Sequence, residues 1–266
     1  MKLLAIDMDG TLLNSKHTIT EKTIEALKLA KEHGYEIVPT TGRSISCLPR
    51  QLKGTGIYRY VISSDGAEVY DTAKKRIIFS EKIPSEEAVE ILEVCSKYKF
   101  AGITAHIGHD FVVQGKFLAK AGMFVFGEDV EKAIVVKDIV SYAKENNSEI
   151  SAIQLFFFLP GGKRRVRSML KKHSELTMAF SRTHVEIYSK NATKGNAVLA
   201  LAEALNIPQE DTVCIGDATN DITMFVVCGK CFAMGNAIQE LKEYANAVLP
   251  TNNEDGIAEA VKKYLI

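Results

Sequence analysis

The sequence predicts an α/β fold, a doubly wound and mostly parallel sheet with an inserted α+β cap, and three observations carry that expectation. Short continuous apolar runs near both ends of the chain stop at polar, glycine-containing loops, as strands buried on both faces do. Between these runs lie stretches with apolar residues at helical spacing, so strand and helix alternate. The middle of the chain breaks the alternation, with helices and strands in separate runs.

Taken in order, the run Leu3 to Ile6 is the first strand and ends at Asp7. From Thr20 to His33, the residues Ile24, Leu27 and Ala30 recur at helical spacing, with Thr20 suited to cap the start and Gly34 to end the helix. Glu36 to Pro39 gives a second strand, ending in Thr40-Thr41-Gly42-Arg43, and Tyr60 to Ser63 a third, ending in Ser64-Asp65-Gly66. Near the other end, Thr193 to Leu205 carries Ala197, Val198, Leu201 and Leu205 on one helical face, and Asn206-Ile207-Pro208 breaks it. Thr212 to Ile215 resumes as a strand ending at Gly216-Asp217. Helical Ile222 to Val227, strand-like Cys231 to Met234 and a closing helix over Glu254 to Tyr264 complete the block.

In the middle, helices over Ser85 to Lys97 and Glu131 to Glu145 precede a strand at Ile153 to Leu159, then a basic helix over Lys163 to His173 and strands at Thr177 to Ser181 and His184 to Ile187. This change of pattern sets the expected domains: a core of residues 1–83 and 189–266, and a cap of residues 84–188. The cap is expected to close over the core's crevice, exclude water and select the leaving group, with His106 to Asp110, Met123 to Phe126 and Arg182 as candidate contacts.

Composition narrows the function. The chain has 46% hydrophobic and 25% charged residues, an ordinary globular balance, and Lys plus Arg equals Asp plus Glu at 33 each. No global field concentrates polyanions, so nucleic acid is not an expected partner. No apolar run reaches membrane-spanning length, and five cysteines without an export signal fit a reducing, cytoplasmic setting. Cys228-Gly229-Lys230-Cys231 has CxxC spacing but no second pair, and reads as a helix-to-strand turn rather than a zinc or redox site. The spacing of His106, His109 and Asp110 could bind a metal, yet surface or substrate-facing positions suit them better. The basic run around Lys163-Arg164-Arg165 reads as a solvated helix face.

The residues with chemical potential fall where an open α/β sheet binds ligands, beyond the carboxyl ends of its strands. Asp7 and Asp9 follow the first strand, Thr41 and Arg43 the second, and Asp217, Asn220 and Asp221 a C-terminal strand, while Lys194 opens a helix. Several carboxylates in one crevice repel one another unless a cation is present, and an all-oxygen set favours Mg²⁺. A lysine and a threonine hydroxyl beside them are what a transferring phosphoryl group requires.

In order and spacing, Asp7-Met8-Asp9-Gly10-Thr11, Thr41-Gly42-Arg43, Lys194-Gly195 and Gly216-Asp217-Ala218-Thr219-Asn220-Asp221 resemble the four signature motifs of the haloacid dehalogenase-like phosphatase superfamily. The inserted cap and Ala233-Met234-Gly235-Asn236-Ala237 are similar to its Cof-type branch with a type IIB cap. The resemblance implies a phosphatase acting on small phosphorylated metabolites, sugar phosphates among them, through a phospho-aspartate on Asp7. It implies Asp9 as general acid and base, and Mg²⁺ on the Asp7 carboxylate, the Asp9 backbone carbonyl and Asp217. Thr41, Lys194 and Asn220 would hold phosphate, with Gly10, Gly42 and Arg43 lining it and Asp221 supporting Lys194. Asp65-Gly66-Ala67 departs from the Asn-Gly-Ala usual in the family and adds a carboxylate near the site. A phosphosugar mutase of the phosphomannomutase type, or a non-catalytic binding protein on the same fold, is the alternative. Both a monomer and a homodimer are compatible with the sequence.

Overall fold

The first strand, β1 (Lys2–Asp7), is buried from Leu3 onward, which explains why its sequence is a continuous apolar run rather than an alternating one. The computed structural model describes the chain apart from residues 98–100, 121–131, 147–148, 158–163, 165, 169–170, 172 and 181–183. After β1 comes the helix Glu21–Glu32, whose first turn is capped by the Thr20 hydroxyl accepting from the Thr23 N–H. Strands β2 (Tyr35–Thr40) and β3 (Tyr60–Ser63) follow, then β4 (Glu68–Asp71) and β5 (Arg76–Ser80). By its internal contacts the chain divides into two units, Met1–Gly42 with Pro49–Ser80 and Thr193–Ile266, and Arg43–Leu48 with Glu81–Ala192.

The second unit has a six-stranded sheet made of β6 (Ala101–Ile107), β7 (Asp110–Gln114), β8 (Ile134–Val136), β9 (Ile150–Phe157), β10 (Leu176–Phe180) and β11 (His184–Ser189), in the order β10-β11-β9-β6-β7-β8. Its pairs are antiparallel except β7 with β8. Ala88, Ile91, Leu92 and Cys95 of the helix Ser85–Ser96 and Ile139 and Ala143 of the helix Ile139–Glu145 pack with Ile103, Ile153, Leu155 and Val185 into one apolar cluster.

Two expectations are corrected, and one hairpin is new. The helix expected over 131–145 starts only at Ile139, with Asp138 as its cap, because the β-branched run Ile134-Val135-Val136 pairs with β7 instead. The hairpin of β6 and β7 was not foreseen: Ile103-Thr104-Ala105-His106-Ile107 alternates apolar and polar residues as a half-exposed strand does, yet residues 102–107 are all buried. His106, expected at the surface or facing substrate, is 2% exposed and lies edge-on to the Phe111 ring, and burial pushes its pKa down to about 4. Arg164 and Arg167 of the basic run are exposed, as a solvated face requires. Lys163, Arg165 and Lys172, with Met123 to Phe126 and Arg182, lie outside the described residues.

The first unit resumes with the helix Lys194–Ala204 and the strands β12 (Thr212–Gly216), β13 (Lys230–Ala233) and β14 (Ala247–Val248). Its sheet runs β14-β13-β12-β1-β2-β3-β4-β5. The first six strands in that order are parallel, and β4 and β5 extend the sheet as an antiparallel hairpin. β1 pairs with β2 on one side and β12 on the other, so the winding reverses beside β1, the switch point at which such sheets bind ligands. The closing helix begins at Gly256 rather than Glu254, because Asp255 is left-handed and cannot belong to a right-handed helix. From Val261 to Leu265 it widens into a π-helix. All five cysteines are free and buried, and the Cys231 thiol donates to the Phe225 carbonyl at 3.2 Å, so the CxxC pair is part of the core.

Asp71, 1% exposed at the end of β4, accepts from the Arg59 guanidinium at 3.0 and 2.7 Å and from the Ala73 and Lys74 N–H groups at 3.1 Å. The Arg59 bonds foremost hold its pKa at about 2, below the ordinary 3.8. The stabilisation is complete above the ordinary value and is lost as pH falls through the folded one. Asp71→Asn is therefore expected to destabilise the protein at neutral pH, and the gap from wild type in urea unfolding to close between about pH 4 and pH 2. A gap that stays constant across that range would assign Asp71 to packing rather than charge.

Candidate active site

Asp7 is the last residue of β1 and 5% exposed. Its Oδ1 accepts from the Lys194 ammonium at 2.5 Å, and the same ammonium donates to Asp221 Oδ1 at 2.7 Å. Lys194, 1% exposed, is the first residue of its helix, which the Thr193 hydroxyl caps by accepting from the Asn196 N–H. Asp221 is fully buried, and its Oδ2 accepts from the Asp217 and Ala218 N–H groups at 2.9 and 3.0 Å. One carboxylate thus fixes both the lysine and the loop after β12.

These charges set one another's protonation. Burial opposes the ammonium of Lys194, yet Asp221, Asp7 and Asp65 together hold its pKa above the ordinary value. The Asp7 carboxyl is pushed well up, by burial first and then by the charges of Asp221 and Asp217, against the pull of Lys194. Burial likewise raises Asp217, against the bond from Thr11.

Asp217 is held from the β1 side. The Thr11 hydroxyl donates to its Oδ1 at 2.9 Å, and the Asn236 amide reaches both the Gly10 carbonyl at 2.8 Å and Asp217 Oδ2 at 3.4 Å. Gly10 is at φ 89, and a Cβ there would lie 2.4 Å from Asp217 Oδ2, so only glycine permits this approach. Asn236 came out of the sequence without a role. Its signal was the polar residue after Met234-Gly235, read only as part of a family motif.

The remaining residues divide. Thr41 is buried, its N–H bonded to the Ile62 carbonyl and its own carbonyl to the Asp65 N–H. The Asn220 amide donates to Asp65 Oδ1 at 2.7 Å, and a Cβ on Gly42 would stand 3.0 Å from Asp65 Oδ2. Asp65 therefore joins the loops of Gly42 and Asn220. Asp9 is exposed. Arg43 belongs to the second unit, where its guanidinium donates to the Cys47 carbonyl at 3.4 Å.

The donor set suits a hard cation. Carboxylate oxygens of Asp7, Asp217 and Asp221 lie within 4.8 Å of one another, with one ammonium among them. Asp7 Oδ2 is buried without a hydrogen-bond partner, an arrangement that is costly unless a ligand satisfies it. Both oxygens of Asp221 accept hydrogen bonds, from Lys194 and two backbone N–H groups, and both of Asp217 do, from Thr11 and Asn236, so within this cluster Asp7 Oδ2 is the oxygen left without one.

Removing the ammonium strands buried charge. Lys194→Met is expected to destabilise the protein by about 3–5 kcal/mol at pH 7, less at lower pH as the carboxyls protonate, as measured by denaturant unfolding. A loss below about 1 kcal/mol would show that the pair is solvated.

The haloacid dehalogenase-like hydrolase family model matches residues 4–261. Phosphatase YwpJ of Bacillus subtilis is 32% identical over 294 residues, covering 100% of both chains. Pyridoxal phosphate phosphatase YbhA of Escherichia coli is 25% identical over 272 residues, covering 100% of this chain and 99% of that one. Among solved structures, a haloacid dehalogenase-like hydrolase from B. subtilis is 29% identical with a TM-score of 0.85, covering 99% of this chain and 100% of that one. A subclass IIB sugar phosphatase, BT4131, shares the fold at a TM-score of 0.83 and 24% identity, covering 100% of both chains. With the family model spanning nearly the whole chain and its motif residues gathered at the switch point of the parallel sheet, the protein belongs to the haloacid dehalogenase-like hydrolase family, as a phosphoric monoester hydrolase.

Proposed function

We propose that the chain is a Mg²⁺-dependent phosphatase of small phosphorylated metabolites, sugar phosphates foremost, working through a phosphoryl-enzyme on Asp7. The observation that carries this reading is the Asp7 carboxylate itself: buried at the end of β1, held on one oxygen by Lys194 and without a partner on the other. A nucleophile needs such a fixed direction and a free lone pair.

The Asp7 carboxylate attacks phosphorus, and the bond from phosphorus to the leaving oxygen breaks. The carboxyl of Asp9, exposed two residues on, gives its proton to that oxygen, so an alcohol leaves. Asp9 then takes a proton from water, whose oxygen attacks phosphorus and breaks the bond to Asp7, releasing phosphate and restoring the carboxylate. Thr41, Lys194 and Asn220 donate to the phosphoryl oxygens, with Gly10, Gly42 and Arg43 lining the group, while Asp221 keeps Lys194 charged and in place. Mg²⁺ would be held by the Asp7 carboxylate, the Asp9 backbone carbonyl and Asp217, and when bound it shields carboxylate from phosphate. Residues 84–188, which belong to the unit with its own sheet and apolar cluster, would be the specificity module, and residues 1–83 with 189–266 the catalytic one.

The substrate class draws on the relatives. One is named for pyridoxal phosphate and three B. subtilis relatives for 5-amino-6-(5-phospho-D-ribitylamino)uracil, so phosphorylated cofactors and polyols join sugar phosphates in the panel to be tested. No described helix is long and apolar enough to cross a membrane.

Phosphate release from that panel is expected with Mg²⁺ and not with excess chelator. Asp7→Asn should abolish it while the variant still folds, as its far-UV circular dichroism would show, and turnover by that variant would remove Asp7 as nucleophile. Asp9→Asn should lower kcat by about 10²–10⁴, the worth of a general acid and base, whereas a change below about tenfold would give that role to another group. Transfer between positions of a sugar without free phosphate would make the chain a mutase.

A further inference from the structure

Ser64, Asp65 and Gly66 are three successive residues with positive φ, at 50°, 54° and 97°. For the two non-glycine residues the conformation costs free energy, and such strain persists only where surrounding contacts fix it. Here they do. The Asp65 N–H donates to the Thr41 carbonyl at 3.0 Å, and Gly66 lies so close to the Thr193 carbonyl that a Cβ would stand 2.1 Å from it. The turn is wedged between the loop after β2 and the start of the Lys194 helix, and it delivers the Asp65 carboxylate, 9% exposed, against Gly42 and the Asn220 amide.

Asn220 is exposed on a short turn, and nothing in its own segment decides which end of its amide faces Asp65. A carboxylate decides it. Ionised, it only accepts, so the NH₂ end must face it, and a flipped amide would set oxygen against oxygen. An asparagine at 65 could donate or accept and would tolerate both orientations. Because the amide is planar, one N–H fixed at 2.7 Å from Asp65 Oδ1 also fixes the direction of the second.

We propose that Asp65 is a positioning residue for phosphate binding, locking the Asn220 amide so that its second N–H is aimed at the ligand rather than sampled. This rests on the reading of Asn220 as a phosphate contact given above. Asp65 also adds to the field on Lys194, so the loops of Gly42, Lys194 and Asn220 all meet its charge.

The test uses Asp65→Asn, Asn220→Ala and the double variant with wild type in the presence of Mg²⁺, reading the Asn220 side-chain amide by ¹⁵N NMR, the affinity for inorganic phosphate by calorimetry, and kcat/KM. Asparagine keeps the size of aspartate and accepts a left-handed backbone, so the variant alters the acceptor rather than the fold. One Asn220 amide proton is expected to be shifted downfield in wild type and to lose that shift in Asp65→Asn. Phosphate affinity should weaken roughly tenfold in Asp65→Asn, as for a lost hydrogen bond to a charged group, and less than about twofold further when the change is made in Asn220→Ala. Unchanged phosphate affinity, or an equal loss in both backgrounds, would overturn the proposal. Coupled phosphate binding in a protein whose Asp7→Asn variant still turns over would uphold it while removing the proposed nucleophile.

Discussion

A single buried ammonium holds the first unit's chemistry together. Lys194 bonds Asp7, 187 residues away in sequence, and Asp221, 27 residues away. With 1% of its surface exposed, it would be very costly without those partners, and each partner would be costly without it. The end of β1, the start of the Lys194 helix and the loop after β12 are therefore obliged to meet in one arrangement. The same bonds place a nucleophile-type carboxylate, a cation and a backbone-anchoring carboxylate at the switch point of the sheet.

Around that ammonium the negative charge is in excess, and the structure holds the excess in place. Asp217 is fastened by Thr11 and Asn236 at a distance from the chain that only a glycine at position 10 permits. Asp221 is fastened by two backbone N–H groups, and Asp65 joins the loop of Gly42 to Asn220. Preorganised carboxylates whose pKa values are raised, by burial first and then by one another, form a site that a proton or a cation would relax, whereas a flexible loop would let them move apart.

The regular core was legible because each of its elements has one dominant local signal. β1 and β3 are short apolar runs bounded by turn residues, and two helices have a threonine at the start and a break at the end. Where two signals competed, the reading failed. Residues 134–136 lie inside a stretch with helical periodicity, but their β-branched side chains gain more from pairing with β7. In β6, Thr104 and His106 alternate with Ile103, Ala105 and Ile107, the pattern of a strand with one face in water, yet both faces are buried. His106 looked like a surface group for the same reason, since burial of an imidazole is decided by neighbours far along the chain.

By itself, the sequence determined the α/β class, the strand ends on which the polar residues fall, and the identity of the groups available there, because these depend on local periodicity and on residue type in a fixed order. Only the tertiary structure decided which groups meet: that Asp221 serves Lys194 and the backbone with both oxygens, that Asn236 reaches back to Gly10, and that Asp65 faces Asn220 across 155 residues. Hydrogen bonds of that kind depend on strand order and loop approach, which no single segment encodes. They become fixed when the sheet closes and buried polar atoms must find partners among the few groups within reach.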